Sequence, residues 1–340
     1  PPGRPFGEQL CKSPVQARSC TAEDHYPGAD RRHDRGRNCQ CGSCFRLEKV
    51  PGRAFRRVLA TLASAMVTLL RKGKILNDRM TLREALIEGT RELEEAHIPD
   101  SKFDARILLL HASNITYSRF LASSTDPMEE DSLRKYRTYL KMRTERIPLQ
   151  HITGEQDFMG YSFRVNEHVL IPRQDTETLV LLAEEEIKKT NAKKVLDLCT
   201  GSGCIGISLF LRMKEAGRPI DVTLSDLSEE ALAVAKENAN LLNTNICFTK
   251  SDLFEEIDSS YDVIVSNPPY IPSHVIPGLM PEVRDHDPMM ALDGGEDGLF
   301  IYRKLIPQAY ERLQDKGSLF LEIGYDQGGS VSLIMREAGF

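Results

Sequence analysis

Short apolar segments alternate with segments of helical periodicity through the second half of the chain, and this alternation restricts the possible folds. Strands are predicted at 195–198, 220–225, 246–249, 263–266 and 318–323, and helices at 204–213, 228–242 and 297–313. Apolar strands separated by helices form a parallel sheet that is covered on both faces. We therefore predict an α/β fold with a Rossmann-like sheet, whose ligand site lies at the carboxyl ends of the strands.

A small helical domain is predicted ahead of this sheet. From Thr81 to about Arg146 the apolar residues recur at helical spacing, and Thr81 with Glu84 predicts a capping box at the first helix. Two extended segments, 158–165 and 169–172, are predicted to pair as a hairpin. The predicted division is a leader at 1–79, a helical substrate-docking domain at 80–147, a β-hairpin linker at 148–175 and the α/β domain at 176–340. For the helical domain, a role in folding or packing remains the alternative to substrate docking.

Residues 1–79 differ from the rest in charge and in cysteine content. They contain 16 Lys and Arg residues against 7 Asp and Glu, whereas residues 80–340 contain 28 against 43. Five of the eight cysteines lie in this leader, but the cluster at 39–44 lacks a second ligand pair at zinc-finger spacing, so we predict no metal site. We expect a disordered or non-native leader before a start at Met80, and a C-terminally truncated sheet, because the chain stops where a further strand would follow.

Charge and hydropathy exclude several classes of protein. A net charge of −6 argues against a general nucleic-acid binder. The apolar stretch Val58–Leu70 is shorter than the ~20 residues of a spanning helix. The scattered cysteines of the later part fit a reducing compartment. We expect a cytoplasmic monomer that needs neither a membrane nor a nucleic acid.

Polar turns follow the first three predicted strands of the sheet. The run DLCTGSG at 197–203 lets a ligand approach the backbone, and it lacks the Lys of a phosphate-binding P-loop. Alone it fits a nucleotide site, a flavin site or a tight turn. Asp226 can accept hydrogen bonds from two ribose hydroxyls or cap the next helix. Asp252 can accept from an adenine amino group with Leu253 packed on the ring, although Asp is also common in turns.

A fourth motif, NPPY at 267–270, follows the next strand. The combination resembles the S-adenosylmethionine-dependent methyltransferases of the Rossmann-like class, in which NPPY implies an amino or amide nitrogen acceptor. An amide NH2 is planar and a weak nucleophile, so Asn267 Oδ1 and the Pro268 carbonyl can accept its two N–H bonds and aim the nitrogen at a methyl group. Tyr270 can stack on the planar group, while the two prolines fix the loop.

Three longer motifs resemble the peptide chain release factor N5-glutamine methyltransferases, the PrmC/HemK family. They are VLIPRQDTE at 169–177, NPPYIP at 267–272 and DPMMALDGGEDGL at 287–299. The resemblance covers about residues 80–340 and implies an all-helical domain before the methyltransferase domain. It implies methyl transfer from S-adenosylmethionine to the side-chain amide nitrogen (N5) of the glutamine in the Gly-Gly-Gln motif of class I peptide chain release factors.

The resemblance also implies roles for individual residues. The catalytic group would be Asn267, Pro268 and Tyr270, and these would bind the glutamine together with Pro269, Phe158 and Arg173. The cofactor would be bound by Cys199, Thr200, Gly201, Ser202, Gly203, Asp226, Asp252, Leu253 and Asn267. Two positions depart from the family pattern: Cys199 stands where Gly is more frequent, and Leu253 stands where some members have an aromatic ring.

Three alternatives remain open from the sequence. A glutamine methyltransferase of a large-subunit ribosomal protein shares the chemistry, but PRQDTE at 172–177 fits the release factor branch better. A DNA adenine-N6 methyltransferase shares NPPY but must flip a base and hold a phosphate backbone, which the acidic balance of residues 80–340 opposes. A non-catalytic binder with a vestigial pocket is disfavoured by the intact Asp226 and Asn267.

Overall fold

The computed structural model describes residues 79–340, and their first part is a group of five helices. These are α1 (Leu82–Glu95), α2 (Ser101–Ser113), α3 (Tyr117–Ser123), α4 (Glu130–Thr144) and α5 (Leu149–Thr153). The predicted capping box is present at α1, where Glu84 N donates to Thr81 Oγ1 at 3.2 Å and Thr81 N donates to Glu84 Oε2 at 2.8 Å. The predicted leader lies outside the described residues, apart from Arg79.

The five helices share one hydrophobic core. Helices α1 and α4 approach closely at Gly89, because a Cβ there would lie 2.1 Å from the hydroxyl oxygen of the buried Tyr136. The same core includes Leu149 and Ile152 of α5. The helical part therefore continues past the predicted boundary at residue 147, since the apolar side chains of α5 complete its core.

The hairpin forms from different segments than the sequence predicted. Strand β1 (Glu155–Phe158) pairs antiparallel with β2 (Tyr161–Arg164). Met159 and Gly160 join them with φ angles of 53° and 82°, the backbone that a two-residue hairpin turn of the I′ type requires. The predicted pairing of 158–165 with 169–172 was wrong, because the chain reverses inside the first of these segments.

After α6 (Thr176–Thr190) the chain forms a five-stranded sheet. Its strands are β3 (Lys194–Leu198), β4 (Asp221–Asp226), β5 (Cys247–Lys250), β6 (Tyr261–Ser266) and β7 (Leu313–Leu321). Its helices are α7 (Cys204–Glu215), α8 (Glu229–Leu241), the short α9 (Pro281–Arg284) and α10 (Met289–Leu292), α11 (Phe300–Arg312) and α12 (Gly328–Ala338). The strand order is β5-β4-β3-β6-β7, and every neighbouring pair is parallel. The prediction of a parallel Rossmann-like sheet after a helical domain is confirmed.

The strand order creates a crevice beside β3. The chain leaves β3 for β4 on one side and later places β6 on the other side. At such a switch point the loops after the two central strands turn to opposite faces, which opens space for a ligand. Val195 and Leu196 are fully buried because helices cover both faces of the sheet.

An ion network joins the helical part to a loop of the α/β part. Arg143 of α4 donates from Nε to Asp104 Oδ2 at 2.7 Å and from Nη1 to Glu282 Oε1 at 3.0 Å. Arg146 donates to the same Glu282 oxygen at 3.3 Å. The side chains of Arg143 and Asp104 are each 7 % exposed, so this contact is largely withdrawn from water. The segment around α9 is therefore anchored on the helical part.

No helix within residues 79–340 is long and apolar enough to cross a lipid bilayer. The apolar stretch Val58–Leu70 and the leader cysteines lie outside this part of the chain.

Candidate active site

A cavity of about 770 Å³ opens at the carboxyl ends of β3, β4, β5 and β6. Most residues that the sequence singled out lie in its wall, namely Arg173, Cys199, Thr200, Gly201, Ser202, Asp226, Asp252, Leu253, Asn267 and Pro269. Four others, Phe158, Gly203, Pro268 and Tyr270, do not line it. The cavity thus brings together the turns after four different strands.

The turn after β3 is tied together by a buried carboxylate. Asp197 Oδ2 accepts a hydrogen bond from Thr200 Oγ1 at 2.6 Å and another from Gly206 N at 2.9 Å. Complete burial raises the pKa of Asp197 to about 7, although both hydrogen bonds favour its ionised form. The sequence placed Asp197 in the strand and at the start of the glycine-rich run, but it did not predict these hydrogen bonds.

Backbone geometry leaves the wall open at Gly201. Its φ is +55°, and a Cβ at this position would meet no atom within 4 Å. Gly203 has φ +81° and is the N-cap residue of α7, and a Cβ there would lie 2.8 Å from Ile207 Cδ1. Cys199 also has a left-handed φ, of 58°, which is uncommon for a residue with a side chain. The turn therefore approaches the cavity with little side-chain bulk.

Asp226 connects this turn to the next helix. Its Oδ2 accepts from Gly201 N at 2.8 Å, and its Oδ1 accepts from Ser228 N at 2.9 Å. Ser228, rather than Asp226, caps α8, because Ser228 Oγ accepts from Ala231 N at 3.0 Å. Burial raises the pKa of Asp226. Each carboxylate oxygen has two lone pairs, so both oxygens of Asp226 retain capacity for a ligand hydroxyl.

The turn after β5 supplies one polar and one apolar group. Asp252 is exposed in the cavity wall, while Leu253 is 8 % exposed and has φ 51°. Leu227 and Ile205 add apolar surface to the same cavity. This end of the cavity therefore offers an apolar surface with carboxylates at its edge.

The NPPY loop follows β6 directly. Asn267 Nδ2 donates to Thr176 Oγ1 at 3.3 Å, and Asn267 Oδ1 accepts no hydrogen bond from residues 79–340. Pro268 is buried. Tyr270 is half-buried outside the cavity wall, which corrects the expectation that its ring stacks on the acceptor amide. Its carbonyl accepts from Gln327 Nε2 at 2.9 Å, and its hydroxyl donates to Glu322 Oε1 at 3.4 Å. The loop is thus held by side chains from α6 and from the end of β7.

The glycine-rich motif at 294–298 packs against the same loop. A Cβ at Gly294 would lie 2.8 Å from the Tyr270 backbone, and one at Gly298 would lie 2.4 Å from the Tyr270 carbonyl oxygen. Gly294 N also donates to Ile271 O at 2.9 Å. These glycines are required because two stretches of backbone pass each other without room for side chains.

Glu322 is a residue of this region that the sequence reading missed. It follows β7, and its N–H donates to Ser266 O at 3.0 Å. Its carbonyl accepts from the Tyr302 hydroxyl at 2.6 Å, and burial raises the pKa of its carboxyl. A carboxylate directly after an apolar strand could have indicated a site residue. The predicted strand included residue 322, however, because it was extended to residue 323.

Of two residues that were expected to bind the acceptor glutamine, one lines the cavity and the other does not. Arg173 lines the cavity and donates to Asp287 Oδ2 at 2.7 Å, which ties it to the segment that leads into α10. Phe158 is 2 % exposed and packs edge-on against Phe163, with ring centroids 6.1 Å apart. The structure places Phe158 in the core rather than in the cavity wall, which corrects the expectation that it lines the site. It ends β1 and belongs to the same hydrophobic core as Val180, Ile207 and Val263.

Comparisons with known proteins identify both parts of the chain. Residues 84–154 match the family model of the PrmC N-terminal domain, and residues 172–276 match the methyltransferase small domain. A protein of Clostridium acetobutylicum is 38 % identical over 266 residues, covering 77 % of this chain and 92 % of its own length. A Caulobacter vibrioides protein is 40 % identical over 266 residues, covering 76 % and 90 %. A Deinococcus radiodurans protein is 36 % identical over 261 residues, covering 77 % and 92 %.

All three relatives carry the name release factor glutamine methyltransferase. They match along the helical part and the sheet together, so the likeness is not limited to a widespread methyltransferase core. The resemblance drawn from the sequence motifs is confirmed, and the relatives favour neither the ribosomal-protein nor the DNA alternative. The chain belongs to the release factor glutamine methyltransferase family.

Proposed function

We propose that the protein transfers the methyl group of S-adenosylmethionine to the N5 amide nitrogen of the glutamine in the Gly-Gly-Gln motif of class I peptide chain release factors. Family membership supports the reaction and the partner. The observation that carries the proposal is the state of Asn267: its Nδ2 is engaged by Thr176, while its Oδ1 is left to accept a hydrogen bond beside the cavity.

The residues after β3, β4 and β5 fit the donor. S-adenosylmethionine, when bound, supplies a methyl group on a positively charged sulfur that departs as a neutral thioether. The free lone pairs of Asp226 can accept from the ribose hydroxyls, since each of its oxygens has one backbone donor. Leu253 can pack on the adenine with Asp252 at its amino group. The open side of Gly201 leaves space for the rest of the molecule.

The NPPY loop fits a planar amide. Asn267 Oδ1 in the cavity wall can accept one N–H bond of the glutamine side chain. The Pro268 carbonyl lies behind the wall and accepts no hydrogen bond from residues 79–340, and it is the proposed acceptor of the other N–H bond once the amide has entered. Methyl transfer to the amide nitrogen would develop positive charge on that nitrogen, and the charge would be relieved when one N–H proton passes to water. Two fixed acceptors stabilise that charge in the transition state. Tyr270 supports the loop through Glu322 and Gln327.

We also propose that the helical part docks the release factor. Phe103 and Tyr117 are about half exposed, and the Arg106 guanidinium lies between them, 5.5 Å and 5.0 Å from their ring centroids. Aromatic and arginine side chains are enriched at protein interfaces. These three residues, here called the aromatic patch, offer a contact surface outside the cavity.

The proposal is tested by methyl transfer from labelled S-adenosylmethionine with the full chain. The acceptors are a class I release factor, the same factor with the motif glutamine changed to alanine, a large-subunit ribosomal protein fraction and duplex DNA. Label on the intact release factor alone is the expected result. Label on DNA or on ribosomal protein, or on no acceptor despite measurable cofactor binding, would contradict the proposed acceptor.

A further inference from the structure

Asn267 and Glu322 are neighbours because the strands that precede them are paired. Ser266 of β6 is in register with Leu321 of β7, and Glu322 N donates to Ser266 O at 3.0 Å. The next residue on each strand therefore emerges at the same edge of the sheet. The Glu322 carboxyl is reached by the Tyr270 hydroxyl at 3.4 Å, and its Oε2 is buried without a hydrogen-bond partner among residues 79–340.

Thr176 contacts Asn267 and lies near Glu322. It is 2 % exposed at the start of α6, and its Oγ1 accepts from Asn267 Nδ2 at 3.3 Å. The side chains of Thr176, Tyr270 and Asn267 are all close enough to Glu322 to oppose the rise in its pKa that burial causes. The four side chains form one polar group behind the NPPY loop, hereafter the amide clamp.

Hydrogen bonding within the amide clamp can select one orientation of the Asn267 amide. An asparagine amide keeps its shape when its oxygen and nitrogen exchange places, so packing alone does not select one orientation. A carboxylate can only accept, whereas a hydroxyl donates one hydrogen and accepts through its lone pairs. If the Thr176 hydroxyl turns its hydrogen to Glu322, its lone pairs are left for Asn267 Nδ2. Asn267 Oδ1 is then directed away from the clamp.

We propose that Glu322, acting through Thr176, fixes the orientation of the Asn267 amide so that its oxygen, and not its NH2 group, faces the acceptor nitrogen. The inference rests on the proposed function, because only an acceptor with N–H bonds requires this orientation. Glu322 does not line the cavity and is a positioning residue. With the Asn267 amide reversed, its NH2 group would face the NH2 group of the substrate glutamine. The substrate nitrogen would then no longer be directed at the methyl group.

Glu322→Gln is the sharpest variant because it preserves shape and changes only hydrogen bonding. A glutamine NH2 can donate to Thr176 Oγ1, which turns the hydroxyl hydrogen towards Asn267 and favours the reversed amide. We expect kcat for methyl transfer to fall by about 10- to 100-fold, while the Kd for S-adenosylhomocysteine changes less than about threefold. Glu337→Gln makes the same change at an exposed position of α12 and is the matched control, expected to behave as wild type.

The pH profile separates this role from a merely structural one. A protonated Glu322 can donate to Thr176, so wild-type kcat is expected to fall as the pH is lowered through the pKa of this carboxyl. Glu322→Gln should lack the part of the acidic limb that Glu322 causes, while the parts caused by Asp197, Asp226 and Asp175, whose charge also faces Glu322, remain in both proteins. Thr176→Val, which removes the connecting hydroxyl, should lower kcat similarly, and the double variant should be little worse than either single variant, because residues that act as a unit are not additive.

The proposal fails if folded Glu322→Gln keeps wild-type kcat, or if it loses cofactor affinity as much as it loses transfer. If that variant does not fold, Thr176→Val is judged by the same two criteria. If the wild-type protein methylates no release factor, the proposed function fails instead, and hydrogen exchange of the Asn267 side-chain NH2, measured by NMR, decides on the clamp. Slow exchange in wild type that becomes faster in either variant is expected, and equal exchange would overturn the inference.

Discussion

Arg143 and Glu282 form an ion pair between the helical part and the segment that leads to the cavity wall, with Nη1 and Oε1 3.0 Å apart. The pair is not isolated, since Arg143 also holds Asp104 within its own part of the fold. From Glu282 the chain runs through Asp287, which pairs with Arg173, to Met289 at the cavity. The wall of the cavity is therefore fixed from two sides.

Removing the Arg143 charge should destabilise the protein. Arg143→Met leaves the Asp104 carboxylate buried without its partner, and we expect the free energy of unfolding to fall by about 3–5 kcal/mol. Denaturant unfolding followed by circular dichroism measures this change. Arg134→Met removes an arginine whose side chain is 68 % exposed and is the control. An equal midpoint for the two variants would show that the buried pair is not important for stability.

Asn267→Ala should separate methyl transfer from cofactor binding. Loss of the proposed N–H acceptor is expected to lower kcat by about 100- to 1,000-fold. The Kd for S-adenosylhomocysteine should stay within about threefold of wild type, because the bonds of Asn267 are proposed to go mainly to the acceptor. Single-turnover transfer and calorimetry give the two quantities, with the exposed Asn245→Ala as control. A variant that binds cofactor poorly but transfers normally would reverse the assignment.

Asp226→Asn should act on the cofactor. One oxygen of the side chain becomes an NH2 group, which cannot accept from Gly201 N or Ser228 N and cannot accept a ribose hydroxyl. We expect the affinity for S-adenosylhomocysteine to fall by about 10- to 100-fold, the range of a hydrogen bond to a charged group. Calorimetric titration measures it. Unchanged affinity would place the ribose elsewhere.

Asp197 should make the stability depend on pH. Its folded-state pKa of about 7 lies above the unfolded value of about 4, so the folded state binds more protons between these pH values. Its contribution to stability is therefore greatest at low pH and is lost as the pH rises towards 7. Relative to Asp197→Asn, the wild-type protein should lose stability over this interval in urea unfolding. A constant difference between the two proteins would contradict the raised pKa.

The aromatic patch should affect recognition of the partner and not the chemistry. Phe103→Ser is expected to raise KM for the release factor by about 5- to 30-fold with little change in kcat. This corresponds to the loss of about 1–2 kcal/mol of binding free energy, as is typical of an interface residue. Leu241→Ser removes an equally exposed apolar side chain of α8 and serves as control. Steady-state kinetics with varied release factor decides the matter. The same KM in both variants would remove the patch from the docking surface.

The sequence best predicted those structural features that are determined by residues adjacent in the chain. The strands before Asp226 and Asn267 and the turn at 199–203 are marked by local apolar runs and glycines, and the sheet confirms them. The hairpin was misplaced because its turn places Met159 at a positive φ that a methionine rarely has, and Gly160 was the one local signal of the turn. Glu322 was missed for another reason: its position depends on the pairing of β6 with β7, between residues far apart in the chain.

The close approach of Gly294 and Gly298 to Tyr270 has a consequence for substrate selection. Backbone that is packed on both sides has few alternative conformations, so the NPPY loop adopts its geometry when the chain folds and not when a substrate arrives. A preformed site of this kind would accept any side-chain amide that reaches it. Discrimination among glutamines would then depend on access to the cavity. If the helical part docks the release factor as proposed, the selected glutamine is the one that a protein can bring to the cavity while it contacts this part.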